Sequence, residues 1–240
     1  MHSIDHLGTR IIFGLFDGKV FITETVCFGV LVALAMIIFA LVSTRNMQTV
    51  PHGIQLVAEL IVSGIYSLTT TTLGHKNSHY APYVGTLFIY LILCNALGLI
   101  GFRPVTADVN TAFACSIITF LVIQGSSIKT RGLKAHLKHY GEPYPFMYPI
   151  MVIKDLTLPI SLAFRLFGNI TGGMIIMALT FTGLHHATEA MHIEIPFLQF
   201  LIPLPLNLFF DVFEPVLQAF IFTMLTMAFI ATAITVHEEH

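Results

Sequence analysis

Runs of apolar residues divide the chain into segments long enough to cross a bilayer. A hydrocarbon core of about 30 Å requires roughly 20 apolar residues in a helix. Three runs have about this length: Val20 to Ser43, Tyr83 to Phe102 and Ala107 to Ile123. The pattern therefore predicts an all-α integral membrane protein.

Two further apolar runs are much longer. Tyr148 to Gly183 and Phe197 to Val236 would each extend on the order of 55 to 60 Å as continuous helices. Neither fits upright in a membrane, so each must tilt strongly, bend, or lie partly in the bilayer plane. Prolines that permit a bend occur in both runs. They are Pro159, Pro203, Pro205 and Pro215.

The segment after the first span, residues 49–72, has a different pattern. Polar residues recur there at intervals of three or four and so share one face of a helix. They are His52, Gln55, Glu59, Ser63 and Ser67. A helix with one polar face favours the membrane interface over the hydrocarbon core. We therefore predict about five transmembrane helices plus one interfacial amphipathic helix, with a sixth span as the alternative.

Composition supports the membrane assignment and narrows the function. The 240 residues are 55% hydrophobic and 10% charged, whereas soluble domains carry about 25% charged residues. The net charge of −2 provides no basic surface for nucleic acid. We find no signal-peptide pattern, repeat or flexible linker, so residues 1–240 are expected to form a single membrane domain.

Lys and Arg are distributed unevenly among the short loops. With five spans and one surface helix, one side receives Arg45, Lys76, Lys129, Arg131, Lys134 and Lys138, and the other receives Arg10, Lys19 and Arg103. The positive-inside rule then predicts an external N-terminus and a cytoplasmic C-terminus.

Arg165 is an unusual cation inside the fourth apolar run. An arginine at the centre of a spanning helix costs about 2.5–3.5 kcal/mol on insertion scales. No acidic residue lies three or four positions from it; its helix face carries Ser161, Gly168, Asn169 and Gly172. Small residues let another helix approach closely. A functional role is therefore favoured over an arginine that snorkels to the interface.

The last apolar run carries a polar stripe of its own. Asn207, Asp211, Glu214 and Gln218 follow one another at helical spacing and so share one face of one helix. Two carboxyls and two amides on a membrane helix indicate a hydrated path or an acid–base relay. The alternative is that one of the carboxyls forms a structural ion pair with Arg165. The two interpretations are compatible.

A third polar cluster, Asp108 and Asn110, begins the third span. It fits part of an external vestibule and equally fits a helix N-cap, where Asp and Asn are favoured. The spacing of His185, Glu189 and His192 could place metal ligands on one helix face. That segment is expected to be an exposed loop, so we predict neither a metal site nor a cofactor.

Three stretches resemble one known family. "PISLAFRLFGNITGG" (Pro159 to Gly173) and "LQAFIFTMLTMAFI" (Leu217 to Ile230) are similar to the signatures of subunit a of F-type rotary ATP synthases. "ADVNTAFA" (Ala107 to Ala114) resembles a third block of that family. The number of spans and the basic cytoplasmic loop agree along nearly the whole chain.

The resemblance implies a mechanism and assigns residues to it. In that family the last two helices form a strongly tilted hairpin, here approximately residues 148–236, which packs against a rotating ring of c subunits. Two offset half-channels lead H⁺ or Na⁺ to the ring. The essential arginine falls on Arg165, the hairpin asparagine on Asn169 and the facing glutamine on Gln218. An acidic or histidine position falls on Asp211, and Glu214 adds a carboxyl.

Residues implied to line or shape the path therefore have distinct expected roles. Asn169 and Gln218 would hold Arg165 in place, and Asp211, Glu214 and Asp108 would conduct ions in the external half-channel. One departure concerns Met174, because family members often carry Glu or His at that position.

The implied function is that of a non-catalytic stator subunit in the membrane sector of a rotary ATP synthase, with no nucleotide site on this chain. Its implied partners are the c-ring, the subunit b peripheral stalk, H⁺ or Na⁺, and the lipid of a bacterial plasma membrane. The competing hypothesis is a stand-alone secondary transporter that binds an anionic substrate at Arg165. Transporters often contain inverted repeats, and the sequence shows none.

Overall fold

The computed structural model describes residues 11–15, 20–45, 47–134, 146, 148–190 and 202–235. Within them, six helices are long and apolar enough to cross a membrane. This confirms the prediction of an all-α integral membrane protein. Three residues used to predict the orientation lie outside the described part of the chain: Arg10, Lys19 and Lys138. Both ends of the last apolar run, 197–201 and 236, also lie outside it.

A small antiparallel strand pair precedes the helices, which the apolar pattern did not predict. Its strands are β1, Ile11–Leu15, and β2, Val20–Thr23. Val, Phe, Ile and Thr, the four residues of β2, are residues that favour strands. The first span therefore begins at Glu24 rather than at Val20.

Seven α-helices follow in the described residues. They are α1 Glu24–Thr44, α2 Ile54–Leu73, α3 Ala81–Ala96, α4 Val109–Arg131, α5 Tyr148–Ala190, α6 Pro203–Asn207 and α7 Glu214–Thr235. Between α6 and α7 the chain is π-helical over Leu208–Phe213. Gly132, with a φ of 80°, ends α4 in a conformation that glycine adopts at little cost.

The helix α2 has the lowest mean hydropathy of the six long apolar helices. Its polar face begins with buried Gln55, whose Nε2 donates to Glu59 Oε1 at 2.7 Å and to the Gln48 carbonyl at 3.0 Å. The helix packs against α3 and α7. Its length suffices for a span, so the interfacial location of this helix stays a prediction.

The helix α5 is continuous for 43 residues and runs through Pro159. Its length is about 65 Å at 1.5 Å per residue, which exceeds the thickness of a bilayer. The Ser116 hydroxyl of α4 donates to the Pro159 carbonyl and joins the two helices at this point. The bend that the sequence allowed at Pro159 does not interrupt the helix, so a strong tilt remains the way to accommodate it.

The second arm of the hairpin changes its helical register before Pro215. Proline has no N–H, and its ring clashes with the carbonyl four residues earlier, which belongs to Asp211. The preceding turn is wide, with the Glu214 N–H donating to the Phe209 carbonyl five residues back. Each extra residue in a turn rotates the earlier residues by about 100° relative to the later ones.

The bundle core joins α3, α4, α5 and α7. Leu91, Cys115, Leu166 and Phe222, one from each helix, belong to one buried cluster. Lipid is as apolar as leucine, so close packing rather than the hydrophobic effect holds such helices together. Leu166 follows Arg165 directly, so this cluster fixes the helix that carries the arginine.

Candidate functional site

Two amides join the arms of the hairpin. Asn169 Nδ2 of α5 donates to Gln218 Oε1 of α7 at 2.7 Å, across 49 residues of sequence. The Gln218 side chain is 2% exposed, and its Nε2 has no acceptor among the described residues. We call the Asn169–Gln218 pair the amide clasp. The resemblance implied that both residues hold Arg165; in the structure they bond to each other.

The arms make a second close contact one helical turn beyond the clasp. A Cβ added to Gly173 would lie 2.8 Å from Phe210 Cδ1 and 3.3 Å from Glu214 Oε2. Only a residue without a side chain allows this approach. Because Asn169 lies opposite Gln218 and Gly173 lies opposite Glu214, the two arms run antiparallel in a fixed register.

Arg165 lies one helical turn before the clasp and is half-buried. No hydrogen bond or ion pair joins the Arg165 side chain to another residue in the described part of the chain. The structural ion pair with Asp211 or Glu214, considered above as an alternative, is not formed. The guanidinium is therefore a permanent cation that no described residue neutralises.

A cavity of about 210 Å³ opens on the other side of the clasp. It lies between the end of α3, the loop before α4, the middle of α5 and the second arm. Its polar lining comes from Asn95, Asn207, Asp211 and Glu214. The volume accommodates several water molecules, since each occupies about 30 Å³ in the liquid.

The predicted polar stripe on the last helix crosses the π-helical turn. Asn207, Asp211 and Glu214 line the cavity, whereas Gln218 does not and bonds to Asn169. Glu214 and Gln218 both follow the turn, one helical turn apart on α7, and both lie against α5. The stripe therefore contributes three side chains to the cavity and one to the clasp.

Met174 lies in the cavity beside the two carboxyl residues. The sequence showed that α5 provides no carboxyl at this position, and the structure shows the consequence. Asp211 and Glu214 are the acidic residues of the cavity lining, and both come from the second arm. Both side chains are half-buried.

Asn95 is a cavity residue that the sequence reasoning missed. It is 1% exposed; its Oδ1 accepts a hydrogen bond from the Thr106 hydroxyl, and its Nδ2 has no acceptor among the described residues. A buried unsatisfied donor costs about 1–3 kcal/mol. The available signal was the amide itself, because polar side chains inside a spanning run are frequently functional.

Comparisons with known proteins agree with this arrangement. The family model described as "ATP synthase A chain" matches residues 26–231, which include both arms, the clasp and the cavity. The chain belongs to the ATP synthase A chain family. The resemblance noted in the sequence is thereby confirmed.

Several curated relatives in the ATP synthase A chain family cover most of this chain. "ATP synthase subunit a 3" of Pelobacter propionicus is 36% identical over 212 residues, 86% of each chain. "ATP synthase subunit a" of Moorella thermoacetica is 32% identical over 221 residues, 92% of this chain and 94% of the relative. The protein of the same name in Aliarcobacter butzleri is 36% identical over 219 residues, 88% and 89% respectively.

Asp108 has a clear structural role in this member of the ATP synthase A chain family. Its Oδ1 accepts from the Asn110 backbone N–H at 3.0 Å, which caps α4, and its Oδ2 accepts from Thr25 Oγ1 of α1 at 2.7 Å. The side chain is 6% exposed and does not line the cavity. Of the two interpretations left open, the helix cap is the one that the structure shows.

The remaining predicted residues lie apart from the cavity. Ser161 is exposed on α5, one turn before Arg165. Asn110 borders a mostly apolar groove between α1, α3 and α4. In the metal alternative, His192 and the side chain of Glu189 lie outside the described residues. Among the predicted residues, Asn169 and Gln218 thus contact each other, and Asp211 and Glu214 line the same cavity.

Proposed function

We propose that this chain is the stator subunit of the membrane sector of a rotary ATP synthase. In this proposal it provides two half-channels for H⁺ or Na⁺, with Arg165 separating them. Family membership supports the stator role. The observation that carries the proposal is that Arg165, which no described residue neutralises, lies on the same helix as Gly173, which borders the carboxyl-lined cavity.

The chemistry of arginine suits a separator. A guanidinium stays protonated under all accessible conditions, so it cannot pass a proton from one half-channel to the other. Its positive charge attracts a carboxylate on the ring and favours the ionised form of that carboxyl. The absence of an acceptor for Arg165 among the described residues supports an acceptor on another subunit.

The cavity supplies one of the two half-channels. Asp211 and Glu214 would exchange ions with water there, and the orientation predicted by the positive-inside rule makes this the external side. Each ring carboxyl arrives neutralised, releases its ion near Arg165 and is reloaded from the other half-channel. The membrane potential contributes about 2.3 kcal/mol per charge per 100 mV to this cycle.

The amide clasp keeps the distance between the arginine and the cavity constant. Asn169 and Gln218 hold the arms in register, so the height of Arg165 relative to Asp211 and Glu214 does not vary as ring subunits pass. This role replaces the direct support of Arg165 that the sequence suggested, and it follows from the 2.7 Å bond between the amides.

The proposal fixes the setting of the chain. It is a multi-pass protein of a bacterial plasma membrane, with an external N-terminus and a cytoplasmic C-terminus. It contacts a c-ring and the subunit b peripheral stalk, and nucleotide chemistry occurs on other subunits. Nothing in the geometry favours the secondary transporter.

Copurification tests this function directly. A tagged chain is extracted from its native membranes in mild detergent, and the proteins retained with it are identified by mass spectrometry. We expect c-ring and ATPase subunits in stoichiometric amounts. A chain that purifies alone, in detergent that keeps other rotary complexes intact, would contradict the stator role and favour a transporter.

A further inference from the structure

The turn between α3 and α4 carries an arginine whose donors meet no acceptor in the described residues. Nε and Nη1 of Arg103 are buried there without a hydrogen-bond partner. The third nitrogen, Nη2, is not buried and also forms no bond in this part of the chain. Asp108, the acidic residue nearest in sequence, already accepts from the Asn110 N–H and the Thr25 hydroxyl. The Arg103 guanidinium is therefore a permanent cation that no described residue neutralises.

The length of α3 places this turn at a membrane surface. The helix has 16 residues and continues as a 3₁₀ turn over Leu97–Ile100. Together they extend about 30 Å at 1.5 and 2.0 Å per residue, which matches the hydrocarbon core of a bilayer. Lys76 precedes the helix and Arg103 follows it, so each lies near a headgroup region. The orientation predicted from the loop charges makes the Arg103 end external.

The apolar side chains beside Arg103 point away from the protein. Leu99 is 53% exposed, Ile100 71% and Phe102 45%. The Phe102 ring also packs against Phe28 of α1, with ring centroids 4.9 Å apart, so the turn is fixed to a neighbouring helix. Exposed apolar surface of this kind marks contact with a membrane or a partner. The turn thus presents apolar surface and an unneutralised cation side by side.

This combination matches the two parts of a phospholipid. A phosphate oxygen can accept from the accessible Nη2 of Arg103, and guanidinium groups bind phosphate well. An acyl chain of the same molecule can cover the apolar side chains, whereas a free anion gains only the first contact. A zwitterionic headgroup carries an ammonium of its own, so it offsets the charge of Arg103 less than an anionic headgroup does.

We propose that the turn 99–103 binds one anionic phospholipid, with the phosphate at the Arg103 guanidinium and an acyl chain along Leu99, Ile100 and Phe102. The inference goes beyond the proposed function and does not depend on it, since Arg103 does not line the carboxyl-lined cavity. The bound lipid would hold the end of α3, and through Phe102 also α1, at a fixed depth in the membrane.

The test uses the complete ATP synthase, purified, freed of native lipid in detergent and reconstituted in phosphatidylcholine vesicles. The vesicles contain a small fraction of photoactivatable phosphatidylglycerol or, as the lipid control, of photoactivatable phosphatidylcholine with the same acyl chains. Labelling of the segment 97–104 is quantified per complex by mass spectrometry. Arg103→Gln removes the charge. Arg45→Gln is the matched control variant, because Arg45 is an exposed arginine at the end of α1.

We expect phosphatidylglycerol to label 97–104 of the wild type about fivefold more than phosphatidylcholine, the effect of one basic residue at an anionic lipid surface. Arg103→Gln should abolish this preference, and Arg45→Gln should keep it. An undiminished preference in Arg103→Gln would overturn the inference. If that variant does not assemble, the wild type decides by itself, because equal labelling by the two lipids would overturn the inference as well.

Two further measurements exclude other occupants and roles. Added inorganic phosphate should leave the labelling unchanged; its loss would show a site for the free anion and contradict the lipid. ATP-driven proton pumping per assembled complex should stay close to the wild-type rate in Arg103→Gln. A large loss of pumping with the lipid preference intact would place Arg103 in the ion path and overturn the inference.

Discussion

The hairpin differs on the two sides of Arg165. On the Asn169 side it borders a cavity with two carboxyl residues, and the donors Asn95 Nδ2 and Gln218 Nε2 have no acceptor among the described residues. On the other side, Asp155 accepts a hydrogen bond from Gln124 Nε2 of α4 at 2.9 Å. There the Ser116 hydroxyl also bonds to the Pro159 carbonyl.

The polar groups on the Asp155 side bond to a neighbouring helix and hold the two helices together. The two donors on the cavity side can still bond to solvent or to another subunit. Buried polar groups are nearly always satisfied, so unsatisfied ones around a cavity indicate solvent or a partner. In the proposed function, the cavity forms one half-channel within this chain, and the other would use the surface that α5 and α7 present to another subunit.

The largest expected effect is at the boundary between the two sides. Arg165→Ala should abolish coupled ATP synthesis, because no permanent cation then separates the half-channels. Arg165→Lys should fail as well, since an amine can lose its proton where it is desolvated. ATP synthesis by membrane vesicles carrying a proton gradient measures both. Synthesis at the wild-type rate in either variant would contradict the assigned role.

A smaller but still large effect is expected on the cavity side. Asp211→Asn together with Glu214→Gln should slow ion translocation by about tenfold or more, because groups that transfer protons contribute at least this much. Each single change should slow it less. ATP-driven pumping, normalised to assembled complex, is the measurement. Equal rates in the wild type, both single variants and the double variant would remove these carboxyls from the path.

An intermediate effect is expected where the two arms touch. Gly173→Ala would place a Cβ 2.8 Å from Phe210 Cδ1, and overpacking of this kind costs about 1–3 kcal/mol. We expect less assembled complex and slower pumping. Gly183→Ala on the same helix is the control, since nothing lies within 4 Å of the added Cβ. Equal behaviour of the two variants would argue against a tight contact.

The amide clasp should affect stability more than rate. Asn169→Ala and Gln218→Ala each break the 2.7 Å bond and should destabilise the purified complex by about 1 kcal/mol or more. The double variant should lose less than the sum of the single losses, because both changes remove the same bond. Thermal unfolding of the complex measures these shifts. Strictly additive losses would show that the amides are not coupled.

The smallest effect is expected on the side with paired polar groups. Gln124→Met removes the hydrogen bond to Asp155 while keeping most of the side-chain volume. We expect proton pumping close to the wild-type rate, with a stability loss of about 0.5–1.5 kcal/mol. If Gln124→Met slowed proton pumping as severely as the double carboxyl variant, the proposed difference between the two sides would be contradicted.

The apolar pattern predicts much of this architecture. Runs of about twenty residues predict spanning helices because the bilayer thickness sets their length. The two longest runs predicted helices that must tilt or bend for the same reason, and the family resemblance implied that they form a hairpin. The exception was Val20–Thr23, which is as apolar as a membrane helix but forms a strand. Apolar runs alone do not separate the two in short segments.

The candidate site was predictable only in part. Arg165, Asp211 and Glu214 were found because charges inside apolar runs are costly and therefore informative. The division of the stripe between the cavity and the clasp was not predicted, because it depends on which residues of α5 lie opposite Glu214 and Gln218. Asn95 was missed because its significance arises from tertiary contacts with Thr106 and the cavity.

The central claim is that Arg165 prevents ions from passing between two half-channels without rotation. The most direct test is the passive proton leak of membranes that contain assembled complex with Arg165→Ala, measured without nucleotide and compared with wild-type membranes. We predict a leak in the variant together with loss of ATP synthesis. Membranes as tight as the wild type that still synthesise ATP would contradict the account.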